Sequence, residues 1–161
     1  LMKKYSNEEI LEQFKTFGND KQSLIVSTIN QNHKPLTNYS PFVEFENNYY
    51  ISVSSLLPHY DNMYQSKKAH ILIIEDESKA SHIYARKRLY FDVHCELIHE
   101  EEKIFDLFDQ RYGESLSFLK TMKDFKIFKL IPEEKSLVLG FGAAYKMDKN
   151  GNLIQKEIKH N

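Results

Sequence analysis

The chain has 161 residues, a size that favours one packed domain, and its 22 basic and 23 acidic side chains leave a formal net charge of −1. A charge so close to zero argues against a surface built for nucleic acid or for anionic membranes, so we expect neither as a partner. Aromatic residues reach 13%, all of them Phe or Tyr, which favours β structure and excludes a mainly disordered chain.

Cysteine content and the N-terminal sequence favour a reducing cytoplasm. Cys95 is the only cysteine, which excludes an intrachain disulfide and a cysteine-ligated metal cluster. The sequence after Met2 turns acidic at Glu8, where a signal peptide has its apolar run. No stretch has the roughly 18 apolar residues of a membrane-spanning helix. We therefore expect a cytoplasmic protein.

The first third of the chain predicts one helix and then a β meander. Ser6 or Asn7 can cap a helix over about residues 7–17, where apolar residues recur at helical spacing and Gly18 follows. From Ser23 the pattern changes to β-branched and aromatic runs separated by polar turns, short enough for antiparallel pairing. The predicted strands are 24–29, 36–45 and 49–53.

The remaining elements follow the same reasoning. Pro58 suits the first turn of a second helix, and apolar residues at helical spacing predict a third over 104–112 with a short continuation to Lys120. Asn150-Gly151 is a strong signal for a terminal hairpin. Strands are predicted at 71–74, 83–98, 125–130 and 136–139.

These elements predict a mainly β fold with peripheral helices. Six or seven meander-connected strands and three helices are typical of an antiparallel β-barrel, here a single domain over residues 1–161. Residues 155–161 are short and polar, so we expect a flexible C-terminal tail.

Standard catalytic motifs for nucleotide hydrolysis, serine hydrolysis and zinc proteolysis are absent from the sequence. Arg86 and Arg88 alternate within the predicted strand and would share one face, where two guanidinium groups can bind carboxylates or phosphates. The alternative is a solvated strand whose arginines pair with Glu75, Asp76 or Asp92. The pattern alone leaves both interpretations open.

Two further features have a structural and a functional interpretation. Gly140-Phe141-Gly142 predicts a bend or bulge between strands. The seven histidines are scattered and have no chelating helical spacing, so most are expected at the surface. His160 differs because it follows the final strand on the tail, from which an imidazole can fold back and serve as an axial ligand of haem iron.

Five segments between residues 23 and 147 resemble, in chain order, successive blocks of the haem-utilisation proteins of HugZ/HutZ type. That family belongs to the pyridoxamine 5'-phosphate oxidase-like, FMN-binding split-barrel superfamily. The Arg-x-Arg-Leu and Gly-Phe-Gly-x-Ala-Tyr blocks are the most specific. The segments are Ser40-Pro41-Phe42-Val43, Ser52-Val53-Ser54 with Pro58-His59-Tyr60-Asp61-Asn62, Ile73-Ile74-Glu75-Asp76-Glu77, Tyr84 to Asp92, and Leu137 to Tyr145.

The resemblance implies a homodimeric split barrel with ligand sites in two clefts at the dimer interface. It implies haem as the ligand, with His160 as the tail histidine on the iron and Asp124 as the carboxylate that hydrogen-bonds this histidine. Arg86 and Arg88 would face the haem propionates. A carboxylate that accepts Nδ1–H from an iron-bound imidazole fixes its tautomer and increases electron donation to the metal.

Flavin-using members of the superfamily bind the FMN phosphate with an arginine and a lysine. The corresponding stretches here have Tyr39 and His59 as candidate ligand-contacting residues, which weakens the case for FMN. We therefore predict a cytoplasmic, dimeric enzyme that degrades haem oxidatively with electrons from a reductase. The alternatives are an FMN-binding oxidoreductase and a non-catalytic haem carrier or storage protein.

Overall fold

The computed structural model describes residues 3–154 and places their strands in one antiparallel sheet with helices at its periphery. The strands are β1 (Ser23–Ile29), β2 (Pro35–Pro41), β3 (Val43–Phe45), β4 (Asn48–Ser54), β5 (Lys68–Ile74), β6 (Arg88–Ile98), β7 (Phe125–Gly140), β8 (Ala143–Met147) and β9 (Leu153–Ile154). The α-helices are α1 (Asn7–Thr16), α2 (Pro58–Ser66) and α3 (Glu102–Tyr112). Short 3-10 segments span Glu77–Lys79, Ile83–Ala85 and Gly113–Lys120. The prediction of a mainly β fold with peripheral helices is confirmed.

The strand order shows how the sheet becomes a split barrel. Its hydrogen-bonded path runs β2-β1-β5-β6-β7-β4-β3, and β8 connects β7 to β9. β2 and β3 lie at opposite ends of this path, yet Phe42 alone separates them in the chain. Because neighbouring Cα atoms are only about 3.8 Å apart, the sheet must curl until its two edges meet at Phe42.

Two residues at the end of α3 secure this junction. The Tyr112 hydroxyl accepts a hydrogen bond from Phe42 N at 3.0 Å and lies 2.7 Å from the carbonyl oxygen of Gln22. The Arg111 guanidinium lies 4.5 Å from the Phe42 ring centroid and donates to the carbonyl oxygen of Gly18 at 2.8 Å. The buried backbone at the junction is thereby satisfied by side chains rather than by a strand ladder.

The inner face of the sheet holds the main core. Inward positions alternate with outward ones, so that β1 buries Leu24 and Val26 while their neighbours stay partly exposed. The helices α1 and α2 belong to this core because their apolar residues Phe14 and Met63 pack into it. Asn62 of α2 also donates to Thr28 Oγ1 at 3.0 Å on the inner side of β1.

A second core lies on the outer face, at one end of the sheet only. There α3 and the following 3-10 segment cover β3, β4 and the first half of β7. This explains why β4 buries consecutive residues, with Tyr49 in the inner core and Tyr50 in the outer one. The buried members of the outer core are Val43, Tyr50, Ile104, Phe108, Leu119 and Ile127.

Four predicted strands differ from the structure, in three ways. The strand predicted over 36–45 is two strands, because the chain crosses from one sheet edge to the other at Phe42. The strand predicted over 83–98 begins only at Arg88, because the His82 side chain accepts from Tyr84 N and caps a 3-10 turn over Ile83–Ala85. The strands predicted at 125–130 and 136–139 form one 16-residue strand.

Other predictions are confirmed. The N-terminal helix is present, ends at Thr16 and is capped by Ser6, whose side chain accepts from Glu9 N. A turn at Asn150-Gly151 joins β8 to β9. In the described part of the chain, the helices are too short or too polar to span a membrane. The predicted tail, residues 155–161, lies outside the described residues.

Candidate functional site

No helix of residues 3–154 covers the outer face of the sheet over β1, β2, β5, β6 and the second half of β7. Strand register places Tyr39, Ile25, Leu72 and Tyr90 side by side in one row across this face. A neighbouring row contains Ile74, Arg88 and Val138. The rows alternate with buried inner residues, and their own side chains are exposed or half-buried. We call this surface, residues Ile25, Tyr39, Leu72, Ile74, Arg88, Tyr90 and Val138, the open face.

The structure separates the two predicted arginines. Arg88 is the first residue of β6 and lies on the open face, where its Nη1 donates to the carbonyl oxygen of Arg86 at 2.9 Å. Arg86 precedes the strand and donates from Nε and Nη2 to the carbonyl oxygen of Glu75, at 3.2 and 2.7 Å. The prediction that both arginines share one strand face is therefore wrong, because the strand has not begun at Arg86.

The hydrogen bonds of Arg86 indicate a structural role for its guanidinium. Lys87 N also donates to Glu75 Oε1 at 2.7 Å, so that both backbone and side chain join this loop to the end of β5. Asp76 contributes nearby negative charge, and hydrogen bonds from Ser78 hold the pKa of its carboxyl below the usual range. The alternative interpretation, pairing with the acidic turn after β5, fits Arg86, whereas Arg88 remains the better candidate for a bound anion.

Asp124 lies in the turn that leads into β7. Ser54 Oγ at the end of β4 donates to Asp124 Oδ2 at 2.6 Å, and Ser55 N donates to the Asp124 carbonyl oxygen at 2.7 Å. The first bond holds one carboxylate oxygen and the second holds the backbone of the turn, while Oδ1 keeps lone pairs that can accept a further hydrogen bond. Exposed apolar side chains, Leu56 and Met122, occupy nearby chain positions on the two connected turns.

His59 and Tyr39 do not form one site. His59 is 4% exposed in α2, and its Nδ1 lies 3.4 Å from Asn38 Nδ2. Burial lowers the pKa of the His59 imidazole. Tyr39 is 69% exposed and lies on the opposite side of β2, on the open face. Their contact with a ligand stays a prediction, as does that of His160, which lies outside the described residues.

A histidine–carboxylate pair on the outer face was not anticipated. His70 Nδ1 and Asp92 Oδ1 lie 2.8 Å apart across β5 and β6, in a cavity of about 370 Å³ that Ser27 and Glu133 also line. In a pair of this kind the carboxylate accepts the Nδ1 proton, which leaves Nε2 as the acceptor of the neutral ring. The sequence holds no local signal for it, because His70 and Asp92 are 22 residues apart and meet through strand register alone.

The Gly140-Phe141-Gly142 segment forms the predicted bulge and a tight turn between β7 and β8. The register shifts between Val138 and Gly140, and Gly142 adopts a φ of 68°, which glycine tolerates without strain. The turn exposes Phe141, whose ring centroid lies 5.1 Å from that of His82. The turn therefore positions an aromatic side chain at the rim of the sheet.

No protein-family model matches the chain. The curated protein heme oxygenase HutZ of Vibrio cholerae is 30% identical over 139 residues, which cover 84% of this chain and 79% of HutZ. A crystal structure of HutZ, described as a haem storage protein, superimposes with a TM-score of 0.72 at 28% identity, over 80% of this chain and 93% of HutZ.

Two further crystal structures extend the comparison. ChuZ of Campylobacter jejuni superimposes with a TM-score of 0.87 at 29% identity and 95% coverage of this chain, which spans 64% of the ChuZ chain. A putative pyridoxamine 5'-phosphate oxidase of Listeria innocua, 14% identical, shares the fold over 80% of this chain and 98% of its own, with a TM-score of 0.62. With 30% identity to HutZ over most of both chains, this chain belongs to the HugZ/HutZ family.

Proposed function

We propose that this protein binds haem and degrades it oxidatively to release iron, using molecular oxygen and electrons from an external reductant. The observation that supports this most directly is the similarity to HutZ, a protein named as a heme oxygenase, over 84% of the chain. The cytoplasm, where reductants are available, is the proposed compartment. Haem would be both cofactor and substrate, and it would supply the oxygen-activating iron.

The open face fits the chemistry of this ligand. A haem macrocycle is flat and apolar, and its two propionates are anionic. Ile25, Leu72 and Tyr90 provide an apolar row, and Arg88 provides a guanidinium at the end of the neighbouring row. Guanidinium groups bind carboxylates with strong, charge-assisted hydrogen bonds. Arg88 would therefore bind a propionate, while Arg86 holds the loop that precedes it.

Asp124 suits the role of orienting an iron-bound histidine. Because Ser54 Oγ already donates to Oδ2, that hydrogen bond holds the carboxyl group in one orientation. Its Oδ1 can accept Nδ1–H from a second residue, which we propose to be His160 of the tail. That hydrogen bond would fix the imidazole tautomer with Nε2 toward the iron and increase its donation to the metal.

We further propose that two copies of this chain meet through their open faces. The apolar rows on β1, β5 and β6 are covered by no helix of residues 3–154, because α1 and α2 pack into the inner core and α3 covers the other end of the sheet. Half-exposed apolar rows of this kind are typical of surfaces that bury against a partner. A dimer would enclose a haem between apolar surfaces of both copies.

Haem carriage or storage without turnover is the second candidate. It is supported by the HutZ crystal structure, which is described as that of a haem storage protein. The two functions share the binding site and differ in whether bound haem reacts when electrons arrive. FMN binding has less support, since His59 is buried and Tyr39 points away from it.

The test is an absorbance titration with hemin, followed by ascorbate under air. Degradation predicts a Soret band that forms with the protein and then decays with release of iron, whereas a carrier retains the band. Failure to form a complex would contradict both functions. A protein that purifies with a flavin spectrum would instead favour FMN.

A single variant tests the proposed orienting role of Asp124. Asp124→Asn keeps the side-chain size and replaces one carboxylate oxygen with an amide nitrogen, so the decay under ascorbate should slow about 10- to 100-fold, the usual effect of losing such a partner. Because the residue acts through the ligand, the resonance Raman iron–histidine stretch should also shift to lower frequency. An unchanged stretch and an unchanged decay rate would contradict the role.

A further inference from the structure

The barrel interior contains a lysine that the proposed haem chemistry does not use. Lys135 lies in the second half of β7, directly opposite Phe91 of β6 and Met147 of β8. Phe91 is buried in the inner core, and so is Tyr49 of β4. The Lys135 Nζ lies 5.1 Å from the Tyr49 ring centroid and 5.4 Å from that of Phe91. Its amine is therefore directed inward, between two aromatic faces.

The polar groups near this amine are few. Tyr49 Oη is the hydrogen-bond partner of Nζ, at the long distance of 3.5 Å. Glu44 of β3 pairs opposite Tyr49 and is the nearby carboxylate, yet it forms no ion pair with Lys135 within 4.0 Å among the described residues. Its Oε1 is buried and has no hydrogen-bond partner among residues 3–154. Arg111 is the other charge that acts on Glu44.

Burial favours the uncharged form of both Lys135 and Glu44. It lowers the pKa of the Lys135 amine, against the opposing field of Glu44. It also raises the pKa of the Glu44 carboxyl, against the fields of Lys135 and Arg111. Since a lysine is nucleophilic only as the free amine, this environment favours the reactive form. The hydroxyl of Tyr49 stays protonated, because burial raises its pKa as well.

A cavity reaches this lysine from outside the barrel. It has a volume of about 290 Å³, near the lower end for ligand sites, and its occupant must therefore be small. Lys135 lines it together with the amide side chains of Asn47, Asn48 and Asn150. Amides can hydrogen-bond to hydroxyl groups. The carboxylates of Glu133 and Asp148 offset the positive charge of Lys149, the second lysine of the lining, so the cavity has no excess of positive charge to attract an anionic ligand.

We propose that Lys135 is a covalent site for small, uncharged aldehydes. The amine nitrogen forms a bond to the carbonyl carbon, and the carbonyl oxygen leaves as water with the two amine hydrogens. The product is a C=N imine, and the step needs neither an oxidant nor a reductant. This site lies inside the barrel, on the other side of the sheet from the open face, and it is independent of the proposed haem function.

Glyceraldehyde is the probe, because its hydroxyl groups match the amide lining. The full-length protein is treated with glyceraldehyde and cyanoborohydride, which reduces the imine to a stable amine, and each lysine is quantified by peptide mass spectrometry. Lys87, an exposed lysine next to β6, is the internal control. At pH 7, Lys135 should react several-fold faster than Lys87, since each unit by which a pKa falls gives about tenfold more free amine.

Two comparisons separate reactivity from mere accessibility. Near pH 10 the advantage of Lys135 should shrink, because exposed lysines also become neutral there. Glu44→Gln removes the field that favours the charged amine and should increase the Lys135 rate at pH 7. The proposal is overturned if wild-type Lys135 reacts at pH 7 no faster than Lys87. Because this result comes from the wild-type protein, it stands even if the variant fails to fold.

Discussion

The two ends of the sheet's outer face both carry apolar side chains, but their surroundings differ. At one end, α3 packs on β3, β4 and the start of β7, and Phe108 and Ile127 are fully buried. At the other end, Leu72 and Tyr90 have the same outward orientation and stay half-exposed. This difference distinguishes the apolar residues that stabilise the fold from those that are available for association. Where α3 covers the sheet, apolar residues stabilise the monomer, and where residues 3–154 supply no cover, we propose a second copy and haem.

The covered end should show the largest effect on stability. Phe108 is 1% exposed, and Phe108→Ala should lower the free energy of unfolding by about 3–5 kcal/mol through lost burial and the cavity that remains. Urea denaturation followed by circular dichroism measures this. Leu56→Ala is the control, because Leu56 is 82% exposed and its loss should change the free energy of unfolding by about 0.5 kcal/mol or less. If both variants lost the same free energy of unfolding, the stabilising role of the covered end would be contradicted.

The open face should show its effect on association instead. Leu72→Asp places a charge in the centre of the apolar row, where a dimer would have to bury it unpaired. Light scattering should then report the 19.1 kDa mass of one chain, while the wild type should give twice that mass. Ser117→Asp adds the same charge on the exposed 3-10 segment and should leave the dimer intact. A dimeric Leu72→Asp protein would place the interface elsewhere.

The two arginines provide a finer comparison at the border of the open face. Arg88→Ala should weaken hemin binding about 10- to 100-fold, because one charge-assisted hydrogen bond contributes about 1.5–3 kcal/mol. Arg86→Ala should mainly lower the melting temperature, since its guanidinium binds the carbonyl oxygen of Glu75. Lys87→Ala is the control for the loss of one positive charge, and it should change neither the hemin affinity nor the melting temperature. If Arg86→Ala weakens hemin binding more than Arg88→Ala, the assignment is reversed.

The smallest effect concerns the inner side of the sheet, where His59 of α2 is buried. Burial lowers its pKa in the folded state, while in the unfolded chain a histidine titrates near its ordinary pKa of about 6.5. As the pH falls through about 6.5, the unfolded state binds a proton that the folded state does not, so stability is full above this pH and decreases below it. His59→Gln should reduce the loss of melting temperature between pH 7.5 and 5.5. An identical loss in both proteins would argue against a buried neutral imidazole.

The sequence was sufficient for local structure and for the family. Helical spacing, capping at Ser6 and the Asn150-Gly151 turn depend on neighbouring residues, and the structure confirms them. The break at Phe42 was not predictable in this way. An apolar residue between two β-like runs carries no local sign that the chain changes sheet edge, because that depends on how the whole barrel closes.

The candidate site also depends on long-range contacts that the local sequence does not predict. Arg86 and Arg88 look equivalent in sequence, and only the 3-10 turn before Arg88 assigns them different roles. The open face combines residues from β2, β1, β5 and β6, whose proximity depends on strand order and register. In the sequence, Lys135 stands in a charged stretch and resembles a surface lysine. Strand register instead places it opposite Phe91. The position of each of these residues depends on long-range strand pairing rather than on residue type.

One measurement tests directly whether haem is bound by a dimer of this chain. The wild-type protein with hemin is analysed by sedimentation velocity, with absorbance recorded both at the Soret band and for protein. The proposal predicts that the Soret absorbance sediments with a species of twice the 19.1 kDa chain mass. Soret absorbance that sediments with a single chain, or apart from the protein, would contradict it.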